Sequence, residues 1–481
     1  VLFITGNQMK VGTTIIKNSG VLILKQLFLM IIALFATAYI ARSLGEVYYG
    51  KFAFAFAFVV LFRVVGEMGI YALTVREVAA DKAKAGIYLG DAIIIRMALS
   101  FFMLGSIALV INVMNYPEDT TTVVYIAAGA LFFDSLSGAF QSIMEGHQRM
   151  EYVAFIHSII SLVQASFAIL ILYIGFKLIP LALVYLGVSV LGFLLSYLIT
   201  TKKIVLPIFT IDVERLKYTI KNAFPFAIIA LFTLALFKID IVMLSFFKGD
   251  AAVGWYNAAA VLTYNTIVIA SALSTSIFPA LSGLGRENKD AARNIFEKSF
   301  SFLIFIGLPI AIGTTFTAKQ IIMLIFGEQY APSVLILQVI IWYIPFVYVG
   351  SLMANVLNAY ACQKYVAKTA GIQAVTNILF NLYMIPLYGP VGAAIATVVT
   401  EVLGVGILYF RLRHFFSFSF ISKIVPYLVF SNAVLVLFLS IMSGWSLAVI
   451  VPSSITIYFL ILLQSGLVNR EDLNIMKKIN Y

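Results

Sequence analysis

Residues 52–75 read FAFAFAFVVLFRVVGEMGIYALTV. At about 1.5 Å of rise per residue, an apolar run of this length crosses a bilayer as a helix. Arg63 and Glu67 interrupt it near its middle, four residues apart and so on one helix face. A charge at the bilayer centre costs roughly 2.5–3.5 kcal/mol on insertion scales. Asp134, Lys238, Asp240 and Glu401 also fall near the middle of long apolar runs. With Arg63 they would cost on the order of 15 kcal/mol if each met lipid. They must therefore face one another or a wet interior, and the chain reads as a membrane protein with a polar path inside it.

Composition agrees. The 481 residues are 62% hydrophobic and 11% charged, and the apolar runs leave no room between them for a soluble domain. The single cysteine, Cys362, excludes a disulfide framework, and three scattered histidines give no zinc pattern. No phosphate loop is present: GNQMKVGTT, from Gly6, lacks the Gly-Lys-Thr/Ser core. The formal charge of +11 forms no dense patch of the kind nucleic acid requires.

The runs number about fourteen and predict an all-α polytopic membrane protein. Residues 1–20 read as a cytoplasmic tail, of which 1–8 lie ahead of Met9, and the first run as a retained helix, not a signal peptide. Six spans follow over 21–205, a cytoplasmic linker over 206–222, six more over 223–415, a final pair over 416–467 and a tail over 468–481. With these spans, 23 Lys and Arg fall in the termini and alternate loops, and 5 in the opposite loops. That asymmetry predicts cytoplasmic termini in the cell membrane.

An internal repeat supports two halves. GEVYYGKF (45–52) and GDAAVGWY (249–256) share the pattern G-[ED]-x-x-x-G-x-aromatic. Gln148-Arg149 and Gln363-Lys364 form a second echo. Parallel repeats of this kind place a substrate site between the halves, near the midplane. Of the prolines, all but Pro117 and Pro180 follow residue 206, which suits bendable helices in the second half.

The interior charges form a candidate site. Lys25, Arg63, Glu67, Asp91 and Arg96 cluster on the first three spans, and Lys238 and Asp240 lie on the seventh. Lys25 and Asp91 sit close enough to a span end to snorkel, so a surface role stays open for both. Glu67 either pairs Arg63 or serves the site. Two residues of helix turn about 200°, so Lys238 and Asp240 cannot share a face; Lys238 is assigned to the cavity. Glu67, Asp91, Asp134, Asp240 and Glu401 are candidates for ion pairing or for coupling to H⁺ or Na⁺. On the eighth span Asn257, Tyr264, Ser271 and Thr275 form a polar stripe, suited to sugar hydroxyls or to helix–helix contact.

Four strings, LFKIDIVMLSFFKGDAAVGWYNAA (236–259), SIFPALSGL (276–284), IFGEQYAPSVLIL (325–337) and NILFNLYMIPLYGPVGAAIATVVTE (377–401), resemble the polysaccharide flippases of the multidrug/oligosaccharidyl-lipid/polysaccharide exporter superfamily. The resemblance implies two six-helix bundles around a central cavity with two added C-terminal helices. It also implies transport of a polyprenyl-diphosphate-linked oligosaccharide to the outer leaflet. Lipid II flippases of this superfamily use cations on helices 1, 2 and 8. Lys25 and Arg63 match the first two, whereas the eighth span here has no Arg or Lys, so lipid II is not inferred as the substrate.

The expected function is therefore a non-enzymatic flippase working by alternating access. Arg63 anchors the diphosphate, and Lys25, Arg96 and Lys238 add positive field. Its partners would be the lipid-linked glycan, membrane lipids and a polysaccharide polymerase or glycosyltransferase, with the chain itself a monomer and no cofactor bound. The competing readings are a cation-coupled multidrug antiporter, which the cationic interior disfavours, and a membrane glycosyltransferase, which the short outer loops disfavour.

Overall fold

The computed structural model describes residues 6–268, 270–271, 289–442 and 444–464; the side chains of 6–29, 289 and 464 lie outside the description. Every regular element among these residues is helical. The first half comprises α1 (Gly6–Leu61), α2 (Arg63–Glu67), α3 (Ile70–Ala80), α4 (Ala85–Val113), α5 (Glu118–Gly146), α6 (Met150–Tyr173) and α7 (Leu178–Lys203). Then follow α8 (Val213–Lys248), α9 (Asp250–Asn265), α10 (Lys289–Ile325), α11 (Ser333–Ile340), α12 (Tyr343–Ala359), α13 (Gln363–Leu412), α14 (Phe420–Ile441) and α15 (Leu447–Gln464).

Among the described residues ten helices are long and apolar enough to cross a membrane. Two of the ten are too long to be single crossings. The 56 residues of α1 break at Gly45, and the 50 of α13 at Gly389. Both glycines have positive φ, 75° and 56°, a conformation that a side chain disfavours. Counting each broken helix as two arms, and adding α9 and α15, gives fourteen segments, the number of apolar runs. Large apolar side chains such as Phe101, Phe102 and Leu109 stand exposed along α4, as a lipid-facing surface requires.

The helices form two compact units, each discontinuous in sequence. One contains residues 32–258 and 370–396, the other 1–31, 259–369 and 397–481. The first has a core of Ile70, Leu73, Leu89, Ile95, Phe140 and Ile143. In the second, the Phe296 ring contacts those of Phe300, Phe416, Phe418 and Phe420, tying α10 to the start of α14.

The repeat read from the sequence exists in the backbone. Gly45 has φ 75°, ψ 170° and Gly249 has φ 79°, ψ −176°, so both G-[ED] motifs start their helices through the same turn. The two motifs also pack on one another reciprocally. A Cβ added to Gly50 would collide with the Asp250 carbonyl, and one added to Gly254 with the Glu46 carbonyl. The second echo is real but shifted in register. The left-handed residues that end α5 and α12 are Gln148 (φ 60°) and Ala361 (φ 59°), so Gln148 corresponds to Ala361 and not to Gln363.

Candidate functional site

The site begins where one transmembrane path is broken. After α1 ends at Leu61, the single helical turn of α2 carries Arg63 and Glu67. Met68 (φ 41°) and Gly69 (φ 72°) then adopt left-handed geometry before α3 resumes. For Met68 that conformation costs roughly 1–2 kcal/mol, and such cost concentrates where structure serves a function. Gly69 has a second reason to be glycine: a Cβ there would meet the Ala227 nitrogen of α8 at 2.8 Å. A broken helix leaves backbone groups unpaired, which hydrocarbon does not tolerate. Here the Ser135 hydroxyl donates to the Gly66 carbonyl at 3.2 Å, and the Met68 N–H to the Val64 carbonyl at 2.8 Å.

Around this break two arginines share one carboxylate. Arg63 Nε donates to Glu67 Oε1 at 2.9 Å, and Arg96 Nη1 lies 3.9 Å from the same oxygen. Their exposures differ: the Arg63 side chain is 48% exposed, whereas that of Arg96 is 0% exposed. Arg96 Nη1 also donates to the Ser135 carbonyl, and Gly138 leaves room for its guanidinium, since a Cβ there would lie 2.6 Å from Nη1. Its Nε and Nη2 have no hydrogen-bond partner among the described residues. One buried guanidinium thus braces the break and offsets Glu67, while the other reaches open space with donors to spare. A half-exposed guanidinium with a fixed fork is suited to a phosphate-bearing ligand.

The other cations divide. Lys238 is half-buried on α8 with no hydrogen-bond or ion-pair partner among the described residues. Lys25 lies outside the described side chains.

The carboxylates have distinct settings. Asp91 is buried and chelated by Arg215 of the linker, with Nε–Oδ2 at 2.5 Å and Nη2–Oδ1 at 2.9 Å. Arg215 also donates to the Thr210 carbonyl and hydroxyl, and the Ile208 N–H to the Gly86 carbonyl. The linker is therefore strapped along α4 where Gly86 and Gly90 permit close approach. The Arg215 side chain is 27% exposed and that of Asp91 2%, so removing the arginine costs less than the about 3–5 kcal/mol of a fully buried pair. Arg215→Ala is expected to lower the thermal unfolding midpoint of the detergent-solubilised protein by several degrees, and Arg215→Lys to recover only part of it; an unchanged midpoint would refute the strap.

Asp240 is fully buried, accepting from Tyr256 Oη at 2.7 Å and from Asn381 Nδ2 at 2.6 Å. Asn381 in turn donates to Asn377 Oδ1 at 2.9 Å. Asp134 lines a cavity bounded by α1, α5, α6 and α7. Glu401, half-buried, packs its carboxylate against Gly350.

Two members of the polar stripe, Asn257 and Tyr264 on α9, make contacts inside the protein, whereas Ser271, beyond α9, is exposed. Asn257 donates to the Tyr49 hydroxyl at 2.8 Å, the Tyr264 ring meets Tyr343 at 5.8 Å, and the Ser271 hydroxyl returns to the Val268 carbonyl. Thr275 lies outside the described residues. Sequence reasoning missed Arg215, Asn377 and Asn381. The two asparagines carried a usable signal: spacing i, i+4 in an otherwise apolar helix, which puts them on one face.

Comparison with known proteins now has a geometry to explain. The polysaccharide biosynthesis protein family profile matches residues 15–284, more than half of the chain. The chain belongs to that family. The MatE profile also matches, over residues 225–384. An uncharacterised membrane protein of Methanocaldococcus jannaschii is 27% identical over 61% of this chain and 58% of its own. A probable flippase of Haloferax volcanii, AglR, is 29% identical over 47% of this chain and 50% of its own. The chain thus matches little more than half the length of these relatives. Among solved structures, the lipid II flippase MurJ in an inward closed conformation superposes with a TM-score of 0.77 at 18% identity, over 93% of this chain and 98% of that one. Similarity at that level fixes the fold: an all-α, multi-pass membrane protein.

Proposed function

We propose that the protein is a flippase that moves a polyprenyl-diphosphate-linked oligosaccharide from the cytoplasmic to the outer leaflet of the cell membrane by alternating access. The observation that carries this reading is the half-exposed Arg63 guanidinium, held at a mid-span helix break by a carboxylate it shares with the buried Arg96. An anionic headgroup can take up the free donors of Arg63 while the polyprenyl tail stays in lipid. The matched relative AglR, called a probable flippase, supports the same assignment. Both termini are cytoplasmic in this reading, the protein acts as a monomer without a catalytic step, and a glycosyltransferase or polymerase supplies or consumes the lipid-linked glycan. The test is transport in vesicles holding the full chain, with a fluorescent short-chain polyprenyl diphosphate carrying one sugar. Protein-dependent loss of the label from the outer-reagent-protected pool supports the reading, and none refutes it.

Coupling to H⁺ or Na⁺ is part of the proposal, and Asp240 is the residue assigned to it. Its carboxylate is fully buried at mid-span and accepts hydrogen bonds from the neutral side chains of Tyr256 on α9 and Asn381 on α13. Allosteric coupling typically changes an affinity by about 5–150-fold. Asp240→Asn is expected to remove most of the stimulation by an imposed Na⁺ or pH gradient while slower ungraded flipping persists. Undiminished stimulation by both gradients would discard Asp240 as the coupling group.

A second reading, a cation-coupled multidrug antiporter, is favoured by the MatE match. It requires an exposed anion for a cationic drug, and Asp134 is one, but the side chain open at the helix break itself is the cation Arg63. Vesicles that exchange a cationic dye for H⁺ or Na⁺ and leave the lipid-linked sugar in place would reverse the ranking.

A further inference from the structure

The cavity beside Asp134 has a composition that neither an ion nor a lipid chain explains. Its volume is about 190 Å³. That exceeds the ~150 Å³ of an engineered protein cavity known to accept a six-membered ring, benzene. Its wall includes the rings of Phe56 and Tyr185, whose centroids lie 4.9 Å apart. Tyr185 is also held edge-on by Phe52 at 5.1 Å. Opposite chemistry converges on the same space: the Asp134 carboxylate with Ser189 against it, and the Gln164 amide against the Tyr185 hydroxyl. Asp134 remains open to solvent.

Each simpler occupant leaves something unexplained. A metal cation would find one carboxylate and otherwise neutral groups, short of the six or more oxygens a hard cation gathers. A polyprenyl tail would strip water from Asp134 without replacing its hydrogen bonds. A diphosphate would meet a like charge. A pyranose ring satisfies all parts at once. Its C–H face covers the aromatic rings, and its hydroxyls donate to the carboxylate and exchange bonds with the amide and Ser189.

Location strengthens the argument. Asp134 precedes Ser135, whose carbonyl is held by Arg96 and whose hydroxyl caps the Gly66 carbonyl at the helix break. It also lies within electrostatic reach of Arg63 and Glu67. A headgroup with phosphate on Arg63 would therefore bring its adjoining sugar toward this cavity, and the Asp134 charge would keep the diphosphate out of it.

We propose that the Asp134 cavity is a sugar subsite, built to receive one pyranose ring of the glycan next to the diphosphate; the proposal rests on the flippase reading above. Asp134 and Gln164 select the hydroxyl pattern, and Phe56 and Tyr185 bind the apolar face.

The test is equilibrium binding to the purified full chain. The probes are a short-chain polyprenyl diphosphate, bare or carrying one N-acetylglucosamine, glucose or galactose. Wild type is expected to bind at least one sugar-bearing probe about tenfold more tightly than the bare lipid, as one hydrogen bond to a charged group provides. Asp134→Asn keeps the side-chain shape, and Gln164→Met keeps the volume with a different chemistry. Each should bring the sugar-bearing probe to within about twofold of the bare lipid, both measured on the same variant. The proposal is overturned if wild type treats all probes alike, or if both variants keep the tenfold preference. It is also overturned if Asp134→Asn abolishes only the response to a pH gradient, which would make Asp134 a proton carrier. Failure to bind even the bare lipid would instead sink the flippase reading itself.

Discussion

Reversing the charge at Arg63 is expected to abolish transport of the lipid-linked sugar, and Arg63→Ala to lower bare polyprenyl-diphosphate affinity by about a hundredfold or more. The estimate follows from the bonds at stake. A guanidinium fork makes two charge-assisted hydrogen bonds to a phosphate, each worth about 1.5–3 kcal/mol, and 1.4 kcal/mol is a factor of ten. Arg63→Lys keeps the charge but loses the fork, so it should retain part of the affinity. The variants should fold, because the Arg63 side chain is 48% exposed and its ion-pair partner among the described residues, Glu67, keeps Arg96 nearby. Arg96 behaves oppositely. It is buried and braces the backbone through the Ser135 carbonyl, so Arg96→Ala should lower the unfolding midpoint as well as transport. Equal binding by wild type and Arg63→Ala, with both proteins folded, would remove the diphosphate from this position.

The contrast between the two arginines shows what the sequence could and could not reveal. Apolar run length predicted the fourteen helical segments, because crossing a bilayer sets a minimum length that composition makes visible. The G-[ED] motifs were legible as a repeat because each needs a glycine at its turn, where Gly45 and Gly249 adopt positive φ. Arg63 and Glu67 were legible as a pair because a helix fixes four-residue neighbours. Beyond one helix, sequence carries no distance. The partner of Asp91 is Arg215, 124 positions away, and that of Asp240 is Asn381, 141 away. The linker containing Arg215 read as a cytoplasmic connection, and folding shows that its arginine reaches back to a buried carboxylate. The same limit applied to the polar stripe, read as suited to sugar hydroxyls or to helix–helix contact: Asn257 donates to the Tyr49 hydroxyl of another helix, while Ser271 stays exposed.

The contact between the two repeat motifs leads to the other large effect. Gly50→Ala and Gly254→Ala are each expected to reduce transport about a hundredfold while leaving headgroup binding intact. In an isolated helix such a change stabilises by about 1 kcal/mol, because alanine loses less backbone freedom. Here the new Cβ would fall on a peptide carbonyl of the other motif, Asp250 in one case and Glu46 in the other. Backbone cannot swing aside as a long side chain can, so the cost is set near the upper end of the about 1–3 kcal/mol typical of overpacking. Where alternating access parts and rejoins the two motifs, a shift of that size depopulates the closed arrangement about a hundredfold. Val253, fully buried beside the contact, supplies a reporter. With Cys362→Ser and Val253→Cys, a membrane-impermeant maleimide should label the wild-type background slowly and the Gly50→Ala variant quickly. A mere folding defect predicts a lower unfolding midpoint and lost headgroup binding, whereas the gate predicts neither. Wild-type transport by both alanine variants, with Val253→Cys still protected, would mean that the motifs share their turn geometry without opening and closing on each other.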